Sequence, residues 1–231
     1  QDFSLGFTWA LKAAKQGFPF AQVLVAKLYT NGDGTQKDLT EAFEWWKKCA
    51  DFSNASVAPG FKDCASEAQF QVGVCYAQGK GVSKDETKAL EWFTKASQLG
   101  STNAEYALGY AYMNGLGTKQ DYQQAIKHYN IAANDGNMPS QFFLALLYHN
   151  GQGTKKNSNV AFNWMKKAAD QGFIDAMNYV GIYYLTGDGT EKNPQKAYKY
   201  ISDAANRNSD YASWILSKMY YNGDGVEKDS T

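Results

Sequence analysis

The histidines, cysteines and hydroxyl residues of this 231-residue chain are the side chains with which it could catalyse a reaction. Its two histidines, His128 and His149, could act as general bases, but neither lies near a serine or cysteine in a recognisable nucleophile motif. The three scattered cysteines do not have the spacing of a zinc site. We therefore expect no catalytic residue, no metal site and no cofactor.

Two of the cysteines, Cys49 and Cys64, flank an irregular segment at residues 51–64. Turn-forming residues are frequent there, so the segment is predicted to be an inserted, exposed loop. A disulfide between Cys49 and Cys64 would close a loop of roughly 16 residues and stabilise the fold by about 3 kcal/mol. We predict this bond, and with it a periplasmic, secreted or endoplasmic-reticulum location. The alternative is a pair of reduced thiols in a cytoplasmic protein.

Glycines recur along the chain as Gly-x-Gly pairs at a nearly constant spacing. The first glycine of each pair stands at Gly32, Gly79, Gly115, Gly151, Gly187 and Gly223. Four of the five steps are 36 residues, and the first is 47. No strand pattern precedes these pairs and no Gly-Lys-Ser/Thr follows, so they are predicted to be helix-ending turns and not phosphate loops.

The elements that position these turns are two helices in each repeat. Six residues after each first glycine stands an aspartate or asparagine, such as Asp38 or Asn193, which is typical of a helix N-cap. The helix before each turn has small residues and a tyrosine on one face, as in Gly73 and Tyr76. Small residues would let the paired helix approach closely. One hairpin cannot enclose its own apolar face, so neighbouring hairpins must stack.

The order Ala-x-x-x-Leu-Gly-x-x-Tyr, Gly-x-Gly, Asp and Lys-Ala-x-x-Trp resembles the Sel-one-like repeat, a relative of the tetratricopeptide repeat, over nearly the whole chain. The resemblance implies an all-α fold, a right-handed superhelical α-solenoid of antiparallel helix hairpins. About five full units plus partial ends would form a single solenoid over residues 1–231. The chain lacks an initiator methionine and stops where another helix should begin, so we expect a fragment of a longer protein.

Several first-helix residues are not needed for the core of a hairpin and are predicted to line the concave face. Aromatic rings at such positions are favoured in interface hot spots, and asparagine amides can bond to a peptide backbone. The predicted partner-binding residues are Phe70, Tyr106, Tyr110, Asn114, Phe142, His149, Asn150, Asn178, Trp214 and Tyr221. The alternative is that these rings pack between adjacent first helices.

The charge balance limits the classes of partner. Lysine plus arginine equals aspartate plus glutamate, 23 against 23, so the chain has no overall field to attract nucleic acid or an anionic membrane. No apolar run approaches the roughly 18 residues of a membrane span. We therefore predict a protein or peptide partner, no nucleic acid and no direct membrane insertion.

Three functions remain in view at this point. The first is a non-catalytic scaffold or adaptor, which the resemblance implies. The second is a periplasmic immunity protein that neutralises a cognate secreted toxin, as some members of this family do. The third is a β-lactamase-like hydrolase of the cysteine-rich type, but that group has a regular cysteine pair in each repeat and this chain does not.

Overall fold

The computed structural model describes residues 2–51 and 59–226, and within these ranges it contains twelve α-helices and no strand. The helices are α1 (Phe3–Lys15), α2 (Pro19–Asn31), α3 (Leu39–Ala50), α4 (Pro59–Gln78), α5 (Glu86–Gln98), α6 (Thr102–Asn114), α7 (Tyr122–Asn134), α8 (Met138–Asn150), α9 (Ser158–Asp170), α10 (Ile174–Thr186), α11 (Pro194–Asn206) and α12 (Asp210–Asn222).

The chain divides into two compact units, unit 1 at residues 1–121 and unit 2 at residues 122–231. In each unit the even-numbered helices are the first helices of the repeats, and the odd-numbered ones are the second helices. Within each unit, successive helices pack against each other, as in a stack of hairpins. The predicted fold class, an all-α solenoid of antiparallel helix hairpins, is confirmed; one continuous solenoid over the whole chain stays a prediction.

Helix ends follow the predicted turn chemistry. The Asp38 side chain accepts hydrogen bonds from the backbone N–H groups of Thr40 and Glu41, which would otherwise be unpaired at the start of α3. Gly32 ends α2 in the left-handed conformation, at φ 87°. Asn208 replaces the usual glycine after a second helix and adopts the same conformation, at φ 65°.

The second glycine of each Gly-x-Gly pair has a different role, because it lies against a neighbouring hairpin. A β-carbon on Gly81 would overlap the carbonyl of Leu39, the first residue of α3. A β-carbon on Gly117 would overlap the carbonyl of Glu86, the first residue of α5. Each of these loops therefore fixes the position of its hairpin against the start of the preceding second helix.

The core of each hairpin depends on the small residues predicted to allow close approach. A β-carbon on Gly73 of α4 would lie 2.6 Å from the Phe93 ring of α5. Phe93 stands one residue after the predicted tryptophan position of its helix. The residues at this place in each repeat are buried: Trp46, Phe93, Tyr129, Met165 and Ile201.

The tryptophan position of the motif Lys-Ala-x-x-Trp is not buried to the same degree in every repeat. Trp45 is buried, but Trp92 and Trp164 are only half-buried. In each case a lysine one turn later lies over the ring, with Lys95 3.9 Å from the centre of Trp92 and Lys167 4.0 Å from that of Trp164. His128 lies half-buried at the same place in α7.

A buried glutamine of the first helix joins several neighbouring hairpins. The side-chain amides of Gln22, Gln69 and Gln141 donate to backbone carbonyls at the end of the preceding second helix. The shortest of these bonds joins Gln141 to Ala133 over 3.1 Å. The sequence interpretation did not identify this contact.

The segment at residues 51–64 is shorter as a loop than predicted. Helix α4 begins at Pro59, so its first turns occupy residues 59–64, and residues 52–58 lie outside the described part of the chain. Proline suits the first turn of a helix because its missing N–H would have no partner there. Cys64 and Cys75 therefore lie on one helix, too far apart to pair with each other.

Candidate functional site

A slot of about 510 Å³ lies between the first helices α4 and α6 in unit 1 and has α5 as its floor. Three predicted partner-binding residues, Phe70, Tyr106 and Tyr110, line it together. We call this site the α4–α6 slot. The residues lining it are Phe70, Val74, Ala77, Gln78, Lys84, Glu86, Ala89, Leu90, Phe93, Tyr106, Ala107, Tyr110, Ala111 and Leu116. Its volume lies within the range of about 300–1,000 Å³ that ligand-binding pockets occupy.

The aromatic residues of the slot are held in place by packing. The Phe70 ring packs on Phe93, with ring centres 5.7 Å apart, and Tyr106 lies 6.5 Å from Tyr110. Tyr110 is 42% exposed, whereas Phe70 and Tyr106 are half-buried. Burial, followed by the nearby Tyr110, raises the pKa of the Tyr106 phenol, which therefore stays protonated and neutral.

One end of the slot carries an ion pair. The Lys84 Nζ and Glu86 Oε1 atoms are 2.7 Å apart. The hydrogen bond from Lys84 lowers the pKa of the Glu86 carboxyl, which therefore stays ionised. Because the two charges face each other, the slot presents no net charge to a ligand.

The slot exists because three alanines stand where the same positions of unit 2 carry rings. Two repeats further along the chain, Ala77 corresponds to His149, Ala107 to Tyr179 and Ala111 to Tyr183. None of the three alanines was among the predicted site residues. The signal was present in the sequence, since the aligned repeats differ in side-chain volume at these positions.

In unit 2 the corresponding space is filled by an aromatic cluster of His149, Tyr179 and Tyr183. The Tyr183 hydroxyl and His149 Nδ1 lie 2.7 Å apart, and the two ring centres are 5.7 Å apart. Tyr183 is buried, and that burial, followed by Asp188 and Tyr179, raises the pKa of its phenol. His149 is thus part of the internal packing of unit 2, which corresponds to the alternative given for these rings.

Phe142 and Asn178, also predicted to contact a partner, are mostly buried at 8% and 6% exposed. The Phe142 ring lies 4.9 Å from that of Phe173, and the Asn178 amide donates to the Ser209 hydroxyl over 3.1 Å. Both border a hollow of about 400 Å³ beside Tyr211. Internal packing accounts for most of their surface, so their contact with a partner stays a prediction.

The asparagines at the ends of first helices are exposed but bonded within their own turns. The Asn114 amide donates to the Tyr110 carbonyl over 2.9 Å, and the Asn150 amide donates to the Gln152 side chain over 3.5 Å. These bonds stabilise the turn. A partner backbone would have to compete with them.

Trp214 and Tyr221 lie on α12, 52% and 78% exposed. Trp214 stacks on Tyr211 with ring centres 5.7 Å apart, and Lys218 Nζ lies 3.7 Å from the centre of Trp214. They do not line the α4–α6 slot. The ten predicted residues therefore do not form one site; three of them do.

Cys49 and Cys64 are both buried and are present as free thiols. The Cys49 sulfur lies 3.7 Å from the Cys64 carbonyl oxygen, so the two residues are neighbours across α3 and α4. Burial, followed by Cys64 and Glu67, raises the pKa of the Cys49 thiol to about 12. The predicted disulfide is not formed in this structure, and it stays a prediction.

Within residues 2–51 and 59–226, no three or more His, Cys, Asp or Glu side chains are grouped so that they could hold a metal ion. No helix in the same ranges combines the length and apolarity needed to cross a bilayer. What the α4–α6 slot can do chemically is bury an apolar group.

The chain is similar to known repeat proteins. The family model described as Sel1 repeat matches residues 1–18, 19–51, 66–101, 102–137, 139–173, 174–209 and 210–231. The longest stretch outside these matches, 52–65, contains the insertion. No curated protein matches the chain.

Several solved structures are similar. A protective antigen present in uropathogenic Escherichia coli strains, with an SLR fold, is 27% identical at a TM-score of 0.92, over 99% of this chain and 46% of that one. This chain therefore spans less than half of that relative. A Sel1 repeat protein from Oxalobacter formigenes is 33% identical at 0.78, over 92% and 83%.

An immunity protein from Pseudomonas aeruginosa shares the fold at 17% identity and a TM-score of 0.53, over 92% of this chain and 77% of that one. Sequence repeats, helix hairpins and family matches along nearly the whole length agree. The chain belongs to the Sel1 repeat family.

Proposed function

We propose that this chain is a non-catalytic scaffold that binds a segment of a partner protein through the face of its first helices. One observation carries the proposal: Phe70, Tyr106 and Tyr110, from two neighbouring hairpins, converge on the apolar α4–α6 slot. Partly exposed aromatic rings around a pocket are typical of interface hot spots. Sel1 repeats in general mediate protein–protein interaction, which supports the same conclusion.

The state of the cysteines favours a non-catalytic role. A cysteine nucleophile reacts as the thiolate, which requires a low pKa and access to substrate. Burial does the opposite here, because it raises the pKa of Cys49 to about 12 and also raises that of Cys64. The hydrolase function is therefore not part of the proposal.

We further propose a periplasmic, secreted or endoplasmic-reticulum location. The support is the proximity of Cys49 and Cys64, whose pairing would need an oxidising compartment. The similarity to a protective antigen also supports exposure outside the cytoplasm. The immunity-protein alternative has less support, since the similar immunity protein is 17% identical and shares only the fold.

The proposal is tested by selecting phage-displayed random peptides on the immobilised chain and measuring the affinity of the selected peptides by fluorescence polarisation. The triple variant Phe70→Ala, Tyr106→Ala, Tyr110→Ala should bind them at least about tenfold more weakly, since each hot-spot ring contributes more than about 1 kcal/mol. The three rings are partly exposed, so helicity by circular dichroism should be retained.

Ile131→Ala is the matched control, because Ile131 is an apolar residue, 41% exposed, on the second helix α7. It should bind the peptides as the wild type does. If the peptides bind the triple variant with the same affinity as the wild type, the first-helix face is not the binding surface. Failure to select any peptide would count against the proposal as a whole.

A further inference from the structure

We propose that the α4–α6 slot accepts a single uncharged aromatic or aliphatic side chain, which anchors the partner segment to unit 1. This inference rests on the proposed function and specifies the chemistry of the partner. It follows from three properties of the slot: its shape, its charge and the side chains that fill its counterpart in unit 2.

The shape comes from a local loss of side-chain volume. Ala107 and Ala111 lie one turn apart on α6 and face α5, and Ala77 closes the group from α4. Below them, Leu90 and Phe93 form an apolar floor. The walls are Phe70, Tyr106 and Tyr110. The slot is therefore a short, partly open pocket bounded by α4, α5 and α6, not a long channel.

The charge of the slot argues against an ionic ligand. Among the residues lining it, Lys84 and Glu86 carry charge, and they neutralise each other across 2.7 Å. The other lining residues are apolar, aromatic or, in the case of Gln78, an uncharged amide. A charged side chain placed here would lose its hydration without gaining a counter-ion, and that transfer is unfavourable. An uncharged apolar group has no such cost.

Unit 2 shows which side chains occupy this space when the chain fills it itself. Between α8 and α10, the counterparts of the three alanines are His149, Tyr179 and Tyr183. At the same two α6 positions, α8 carries Phe143 and Leu147, and the Phe143 ring stacks on Tyr129 of α7 with centres 5.6 Å apart. Aromatic and aliphatic side chains thus fill this position in the repeat. In unit 1, where three alanines leave this space open, the partner would supply such a side chain.

The test fills the slot with side chains taken from the chain's own repeats. The first variant is Ala77→His, Ala107→Tyr, Ala111→Tyr, which copies the cluster between α8 and α10 and gives the second tyrosine hydroxyl its histidine partner. The second variant is Ala107→Phe, Ala111→Leu, which copies α8. Two different fillings keep the test informative if one of them folds poorly, as judged by circular dichroism and thermal unfolding.

The probes are the peptides selected by phage display on the wild-type chain. We expect them to share an uncharged aromatic or aliphatic residue at one position, and to bind both filled variants at least about tenfold more weakly. Replacing that shared residue with alanine in the peptide should weaken binding to the wild type but have little effect with the filled variants. Ile131→Tyr, which adds a ring on α7, is the control and should bind normally.

The outcomes separate this inference from the proposed function. If the peptides bind the filled variants as tightly as the wild type but lose affinity for the Phe70, Tyr106 and Tyr110 triple variant, the slot is not the anchor site and the first-helix face still binds. A shared acidic or basic anchor residue would also overturn the inference. If no peptide binds the wild type, both proposals fail.

Discussion

The space between the first helices α4 and α6 of unit 1 is open, and the corresponding space between α8 and α10 of unit 2 is filled by side chains. In unit 1, Ala77, Ala107 and Ala111 leave a slot of about 510 Å³ between α4 and α6. In unit 2, Tyr183 and His149 bond across 2.7 Å in the corresponding place. The backbone pattern of the repeat is the same in both, so side chains decide between a packed core and a pocket.

This difference indicates how a repeat protein can acquire a specific site. The stack requires the small residues, glycines and helix caps that every repeat has. Positions 6 and 10 of the first helix are less constrained, because the neighbouring helix can be packed by a large side chain or left partly uncovered. A ligand can bind where the helix is left partly uncovered.

The largest loss of stability should come from removing a ring of the aromatic cluster in unit 2. Tyr183→Ala removes a buried ring and should lower the free energy of unfolding by about 3–5 kcal/mol. Tyr183→Phe keeps the ring and loses the bond to His149, so it should cost only about 0.5–1.5 kcal/mol. Urea denaturation followed by circular dichroism measures both. A similar loss for the two variants would mean that the hydroxyl, not the ring volume, holds the cluster together.

A smaller loss of stability should come from adding a reductant, and the two units should respond to it differently. All three cysteines lie in unit 1. If Cys49 and Cys64 form a disulfide in protein from an oxidising compartment, reducing it should destabilise unit 1 by about 3 kcal/mol and leave unit 2 unchanged. Hydrogen exchange with and without dithiothreitol should therefore speed up in α3 and α4 but not in α9 and α10.

Non-reducing peptide mapping checks the bond itself. Burial raises the pKa of the Cys49 thiol to about 12, so in the folded reduced protein almost none of it is thiolate at neutral pH. Labelling of Cys49 by a disulfide reagent should be slow until the pH rises towards that value. Free thiols at both positions in protein from the native compartment would contradict the prediction.

The smallest loss of stability should come from displacing the Phe93 ring, which forms part of the floor of the slot. A β-carbon on Gly73 would lie 2.6 Å from the Phe93 ring, so Gly73→Ala should push that ring aside and cost about 1–3 kcal/mol in the free energy of unfolding. Gly6→Ala is the matched control, because nothing lies within 4 Å of its β-carbon and alanine favours a helix interior. Thermal unfolding compares the two. Equal stability of the two variants would show that Phe93 can move without cost.

The architecture was predictable because its signals are local and repeated. Asp38, Gly32 and Gly73 have roles that follow from backbone chemistry, and the same types recur at fixed steps along the chain. The helical start at Pro59 was not predicted, since the turn-forming residues before it made the whole of residues 51–64 resemble a loop.

The candidate site was only partly predictable, because exposure depends on neighbours in space. Phe142 and Tyr106 occupy the same repeat position, yet Phe142 is mostly buried while Tyr106 lines a slot. The cause lies in other residues, since Phe142 packs against the rings of Phe173 and Tyr179, whereas Tyr106 stands beside Ala107 and Ala111. Comparing side-chain volumes position by position across the repeats would have found the slot, whereas choosing aromatic residues alone did not.

The glycine contacts between loops and preceding second helices also bear on how such a chain changes length. Gly81 and Gly117 each touch the first residue of the previous second helix, so each of these loops packs at a fixed place on the hairpin before it. Duplicating or deleting a whole 36-residue repeat preserves each of these contacts, so the length of the chain can change in steps of one repeat. The insertion follows Asp51 in the sequence, between α3 and α4, and the contact of Gly81 with Leu39 is present across it.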